Sequence, residues 1–249
     1  MRDIFSKRTA VTIHGNTIHM RSSITKKSSS IILVHGLGTS SDSFLRYARL
    51  LSKTYDVYCI DLPGYGKTPK PARTLLLKEM ADIVDEFVRS NISNKCIIVG
   101  HSMGCQVVAY SLANSADLYA KAILLSPTIN NQERSVFKQS LRLTQDVLIE
   151  SPGSNFVVFT NYVRMGLIRY VVTLNNMLHT PIENQLQSNT VPVLFIRGSR
   201  DHVVPTKWVQ YLTDHTPNSQ QQQISGAPHL VQFEKASEVA SVTKAFIES

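Results

Sequence analysis

Cys96-Ile97-Ile98-Val99-Gly100-His101-Ser102-Met103-Gly104 runs from an apolar stretch into a serine set between two glycines. An apolar strand followed at once by a helix leaves Ser102 on the sharp turn between them. Such a turn is sterically crowded. Glycine two residues before and two residues after the serine removes the β-carbons that would clash. The serine hydroxyl is then held out at the carboxyl edge of a sheet, the arrangement of a nucleophile elbow.

Outward from this turn the chain alternates. Residues 11–20 read as strand, turn and strand, with Gly15-Asn16 at the turn. Residues 21–30 are polar and serine-rich and read as a loop. Residues 30–34 form a continuous apolar run, as in a strand covered on both faces. A helix with Asp42 as its N-cap comes next, then a strand at 56–60 and an amphipathic helix over 74–92. The strand at 96–99, a helix over 103–113 and a strand at 122–125 continue the pattern. This rhythm predicts an α/β fold, a mostly parallel central sheet of about eight strands with helices on both faces. It breaks over residues 129–188, where Val136, Phe137, Leu141, Val147, Leu148 and their successors keep helical spacing. It resumes with a strand at 191–196, a helix over 206–214, a weak strand near 222–224 and a closing helix over 231–247. The expected organisation is a core of residues 1–128 and 189–249, with a helical cap inserted at 129–188.

Bulk properties narrow the classes. A chain of 249 residues suits one large α/β domain. The net charge is +8, but lysines and arginines are scattered and no nucleic-acid motif accompanies them. A solvated positive surface without a nucleic-acid partner is expected; attraction of an anionic substrate by the basic residues of 134–169 is the lesser reading. Three cysteines without metal spacing argue against a disulfide framework, and Cys59 and Cys96 read as buried thiols. No metal-ligand set or dinucleotide fingerprint appears, so neither metal nor cofactor is expected. The first residues lack a signal peptide's apolar core, and no stretch approaches the length of a membrane span. A cytoplasmic protein with no membrane partner is the expectation, and the oligomeric state is left open.

A serine hydroxyl is a poor nucleophile until a base takes its proton, and the base needs an orienting acid. Asp201 follows the 191–196 strand, in Gly198-Ser199-Arg200-Asp201. His229 follows the last weak strand, in Gly226-Ala227-Pro228-His229. Loops at the carboxyl edge of a parallel sheet converge on one crevice. Ser126-Pro127-Thr128 offers no rival carboxylate. Asp61 is turned away by Pro63-Gly64, and Glu150 and Glu183 read as solvated. His101 is expected to point away from the active face and pack, His35 to be a structural loop histidine, and His179 and His202 to lie at the surface. Cys105 reads as a thiol on the elbow helix without a cationic neighbour to activate it.

With these residues in this order, the chain resembles the α/β-hydrolase fold superfamily, in its serine-nucleophile, esterase-like form with a helical cap. The resemblance spans the chain: His35-Gly36-Leu37-Gly38, Asp61-Leu62-Pro63-Gly64-Tyr65-Gly66-Lys67-Thr68, the 100–104 elbow and the two loops that hold Asp201 and His229. It implies that Ser102 attacks a carbonyl, His229 moves the proton and Asp201 holds the imidazole. It also implies an oxyanion hole from the backbone N–H groups of Leu37 and Met103. The expected activity is cleavage of a carboxylic ester through an acyl-enzyme, falling below about pH 6 to 7 as the histidine protonates. Two alternatives stand beside it: a thioesterase or acyl transferase in a biosynthetic pathway, and a slow-turnover ligand-binding protein. The insertion sets the substrate, and Phe137, Leu141, Phe156, Phe159, Tyr162, Met165 and Met177 are its candidate lining. A small molecule with an apolar acyl or aryl group is the expected partner.

Overall fold

The computed structural model describes Phe5, residues 8–147 and residues 149–249. Residues 1–4, Ser6, Lys7 and Leu148, which the sequence reading used at the amino terminus and in the insertion, lie outside the described residues. Strands β1 (Arg8–Ile13) and β2 (Asn16–Ser23) form an antiparallel hairpin. Its turn is His14-Gly15, with φ of 47° and 73°, one residue earlier than the sequence suggested. Positive φ at both central residues gives the twist that a two-residue hairpin needs. β2 continues through Ser23, into the segment read as loop, because Arg21, Ser22 and Ser23 pair with the neighbouring strand β4 (Asp56–Ile60).

Strand β3 (Ser30–Val34) precedes a 3₁₀ turn at Ser41–Phe44 and helix α1 (Leu45–Leu51). Ser40, not Asp42, caps this segment, its hydroxyl accepting from the Asp42 N–H. The Asp42 carboxylate is engaged by Arg21 at 2.6 Å. Then come α2 (Leu77–Asn91), β5 (Cys96–His101), α3 (Met103–Ser115) and β6 (Tyr119–Leu125). Helices α4 (Val136–Val147), α5 (Pro152–Met165), α6 (Leu167–Leu178) and α7 (Ile182–Leu186) separate β6 from β7 (Val193–Gly198). The chain closes with α8 (Thr206–His215), β8 (Ser219–Ile224), α9 (Val231–Glu234) and α10 (Ala236–Glu248). The expected single closing helix is therefore two, broken at Lys235.

The eight strands form one sheet in the order β1-β2-β4-β3-β5-β6-β7-β8. Pairs β1/β2 and β2/β4 are antiparallel and the rest are parallel. Alternate residues of the central strands feed two cores. Ile32, Val34, Ile98, Leu124 and Phe195 pack on one face; Ile31, Leu33, Val99, Ile123 and Ile196 pack on the other. Burial on both faces accounts for the unbroken apolar runs. Cys59, Cys96 and Cys105 are free and buried. No helix of the described residues is long and apolar enough to cross a membrane.

Polar bonds seat the inserted helices on the core. The Gln106 amide of α3 donates to the carbonyls of Met177 and Thr180 at 2.9 and 2.6 Å, satisfying groups at the end of α6. The Tyr65 hydroxyl donates to Thr173, and the Leu77 N–H to the Asn176 side chain. Trp208 of α8 donates to the Pro127 carbonyl at 2.9 Å and ties the end of β6 in place.

The β5–α3 junction is the tightest point of the fold. A β-carbon on Gly100 would lie 2.5 Å from the Gly104 carbonyl oxygen, and one on Gly104 would lie 2.2 Å from that of Val34. Both obstacles are backbone. Gly104→Ala is expected to destabilise the protein by about 3 kcal/mol, the upper range for overpacking a site that cannot yield. Gly15→Ala meets open space and only the penalty of positive φ, about 1 kcal/mol. Urea denaturation of the two variants checks the difference.

Candidate active site

Ser102 sits at φ 53° and ψ −117°, between β5 and α3. Few non-glycine residues hold this conformation, and here the neighbours impose it. Its N–H donates to the Leu125 carbonyl at 3.0 Å, and its own carbonyl accepts from the Cys105 N–H at 2.9 Å. The hydroxyl lies 3.5 Å from the Thr128 hydroxyl.

Asp201 and His229 meet beyond the carboxyl ends of β7 and β8. The His229 Nδ1–H donates to Asp201 Oδ2 at 3.0 Å. The other carboxylate oxygen, Oδ1, accepts from the N–H groups of Val203 and Val204, each at 2.9 Å. Buried Arg197 braces the same loop by donating to the carbonyls of Asp201 and Val204. Burial opposes the Asp201 charge, but His229, the Ser126 hydroxyl and the backbone donors hold its carboxyl below the usual range. His229 Nε2 has no hydrogen-bond partner in the structure and, with Ser102, belongs to the wall of one cavity. The Ser102 hydroxyl is turned toward Thr128 rather than bonded to that nitrogen.

The backbone of His229 is held from both sides. His101 does not point away: its ring lies 5.0 Å from the His229 ring, centroid to centroid, and its Nε2–H donates to the His229 carbonyl at 3.1 Å. Burial pushes the His101 imidazole down to about 3, which keeps it neutral. From the other side comes Asp146, at the end of α4. Its Oδ2 accepts the His229 N–H at 2.8 Å and its Oδ1 accepts the His202 N–H at 3.2 Å. One turn on, Glu150 accepts the Leu230 N–H at 3.2 Å. Glu234 of α9 continues the seam, accepting from the Ser151 N–H and the Ser154 hydroxyl at the start of α5.

This seam corrects the reading of Glu150 as solvated. Burial raises the Asp146 carboxyl, and burial with the neighbouring Asp146 raises Glu150 to about 8. Burial alone would lower His229, but Asp201, Asp146 and Glu150 outweigh it and bring the imidazole up to about 9. Glu183 is not solvated either, being paired with Arg134. An acid in the last turn of a helix is disfavoured by the helix dipole, and that is the signal by which sequence reasoning could have found Asp146.

The remaining candidates have simpler roles. His35 donates from Nδ1 to the Gly36 carbonyl and accepts the Leu62 N–H at Nε2, so it is structural. Asp61 accepts from the N–H groups of Ser41 and Lys67. His179 is exposed and bonds within its own helix, and the His202 side chain is 43 % exposed. Burial pushes the Cys105 thiol well up, away from reactivity. Among the described residues, no group of three or more His, Cys, Asp or Glu side chains could hold a metal ion.

The cavity holds about 610 Å³, within the range of small-molecule sites. Leu37 is in its wall, and Met103 is the first residue of α3, so its N–H has no intrahelical partner. Of the candidate lining residues, Phe159, Tyr162 and Met177 border the cavity, with Val158, Tyr170 and Leu174 beside them. Phe137, Leu141 and Phe156 are exposed and outside the lining, and Met165 is buried in the core.

Asp146→Asn removes a negative charge that favours the imidazolium form of His229. The His229 titration midpoint is expected to fall from about 9 toward the ordinary histidine value. Histidine side-chain NMR across pH checks the shift, and Asp146→Glu, which keeps the charge, is expected to retain most of the elevation.

Comparison with known proteins agrees with this architecture. The chain is 24% identical over 251 residues to the uncharacterized hydrolase YugF of Bacillus subtilis (strain 168), covering 88% of this chain and 90% of that protein. It is 26% identical over 227 residues to putative esterase/lipase 2 of Mycoplasma genitalium, covering 82% of this chain and 83% of that protein. A solved bacterial membrane phospholipase A superposes with a TM-score of 0.85 at 18% identity, over 99% of this chain and 87% of that one. Residues 31–242 match the family model described as the alpha/beta hydrolase family, and the chain belongs to that family.

Proposed function

We propose that the chain is a serine hydrolase that cleaves a carboxylic ester of a small molecule with an apolar acyl or aryl group, with residues 129–188 acting as a cap over a core of 1–128 and 189–249. The observation that carries this reading is His229: Nδ1 is committed to Asp201, and Nε2 is unpartnered in the cavity that Ser102 also faces. The mechanism requires the Ser102 side chain to rotate away from Thr128 so that its hydroxyl bonds Nε2. The imidazole then takes the proton as Oγ attacks the carbonyl. The backbone N–H groups of Leu37 and Met103, the second at a helix start, receive the oxyanion. Collapse of the tetrahedral intermediate breaks the C–O bond, and the imidazolium gives its proton to the leaving alcohol. Water then attacks the acyl-enzyme by the same proton route, releasing the acid and restoring Ser102.

The relatives named as esterase or lipase support the ester reading. Tyr162, Leu174 and Met177 favour an apolar acyl chain, and Asp146 and Glu150 in the same wall disfavour a second negative charge on the substrate. The anionic substrate considered from the basic residues of 134–169 is therefore not favoured.

Ser102→Ala is expected to abolish labelling by a fluorophosphonate and to lower kcat on a short p-nitrophenyl ester by a factor on the order of 10⁴ or more, with the fold intact. Wild-type turnover in that variant would refute the mechanism. Because the imidazole must be neutral to act as base and its pKa is raised to about 9, the acid limb of kcat/KM is expected above the ordinary histidine range. A pH profile with its acid limb at or below the ordinary value would contradict the assigned surroundings of His229.

A further inference from the structure

The inserted helices leave an apolar side bare. Helix α5 presents Phe156, Phe159 and Val163 to solvent, and α6 presents Leu167, Ile168 and Val171. Ile168 is 82 % exposed, Leu167 76 % and Phe159 68 %. Their spacing places three residues in one stripe on each helix. Only Gly166 separates the two helices, and the rings of Tyr162 and Tyr170 pack 5.2 Å apart between them, so the stripes belong to one helical hairpin. Scattered exposed apolar residues are ordinary on a protein surface, but stripes of large ones are a binding feature.

Charge and position say what covers this face. Helices α5 and α6 contain no Asp or Glu, and Arg164 is exposed beside Val163. The four acids of residues 129–188 are all engaged elsewhere. Glu133 pairs with Arg142 and Glu183 with Arg134, while Asp146 and Glu150 turn inward to residues 229 and 230. Exposed Lys70 adds to the positive fringe, its Nζ lying 3.8 Å from where a β-carbon on Gly166 would sit at the turn between the two helices, and the whole chain carries +8. Two copies meeting through this face would bring like charge together; a surface of negative headgroups over hydrocarbon matches it. Position adds the functional link. Phe159 is both exposed on the stripe and part of the cavity wall, so the cavity opens beside this face.

We propose that the α5–α6 hairpin docks on an anionic lipid surface, its apolar stripes entering the headgroup–acyl boundary, and that the cavity draws an uncharged ester from among the lipids of that surface. Such docking lies in the interface plane and needs no spanning helix. It departs from the sequence expectation of no membrane partner. The substrate half rests on the hydrolase reading, whereas the docking half does not.

The test is flotation of the full chain with phosphatidylglycerol vesicles and with phosphatidylcholine vesicles. Binding to the first is expected, at least tenfold weaker to the second, and weakened by salt. Leu167→Asp with Ile168→Asp is expected to reduce binding at least tenfold, while the unfolding midpoint and hydrolysis of a water-soluble short ester stay at wild-type values. Ser102→Ala is expected to bind as wild type does. Failure to bind either vesicle, or undiminished binding by the double variant, would overturn the docking surface. So would a dimer in sedimentation equilibrium that the double variant splits, since a second copy would then cover the face. Vesicle binding by a wild type that hydrolyses no ester would sink the hydrolase reading and leave the docking surface standing.

Discussion

His229 is gripped at three points, and the geometry of the site depends on all three. Asp201 takes its ring, His101 takes its carbonyl and Asp146 takes its N–H. Each partner comes from a different part of the chain: the loop after β7, the end of β5, and the inserted helix α4. A loop residue would ordinarily sample many orientations. Here core and insertion must both be seated before the imidazole is fixed, so placement of His229 is coupled to seating of the inserted helices. The bonds along that seam are directional, and those of Asp146 and Glu150 run from side chain to backbone, which sets position more sharply than apolar contact alone.

The elbow supplies the complementary constraint. Ser102 is strained where it stands, and nearby carbonyls forbid any relaxation that a β-carbon at Gly100 or Gly104 would require. The sheet provides the rigidity: β5 lies between β3 and β6, with both faces buried. Ser102 and His229 are thus placed by different means, one by steric crowding in the core and the other by a polar clasp at its rim.

The sheet and the order of the site residues were legible because buried parallel strands leave continuous apolar runs, and the loops after them fall at one edge. Positions set by local competition were less so. His14 takes the turn that Gly15-Asn16 suggested, and Ser40 takes the cap because Asp42 is drawn to Arg21. The insertion was hardest to read. Helical spacing reveals that a stripe exists but not whether it meets core, cavity or water. Phe137 and Phe156 went to solvent, Met165 to the core, and Phe159 to the cavity rim. Asp146 and Glu150 were missed because an acid on a helix looks solvated until its partner, here a backbone amide about eighty positions away, is known.

The acidic wall beside the imidazole also bears on how a turnover would end. Under the proposed chemistry the acyl product is freed as a carboxylic acid that ionises where it forms. Glu150 is raised to about 8 and His229 to about 9, so the alkaline conditions that neutralise the ring also ionise Glu150. A newborn carboxylate would then share the cavity with the like charge of Asp146 and Glu150, where a lower dielectric than water's magnifies the repulsion. Under that chemistry, the same carboxylates that raise His229 also favour departure of the product.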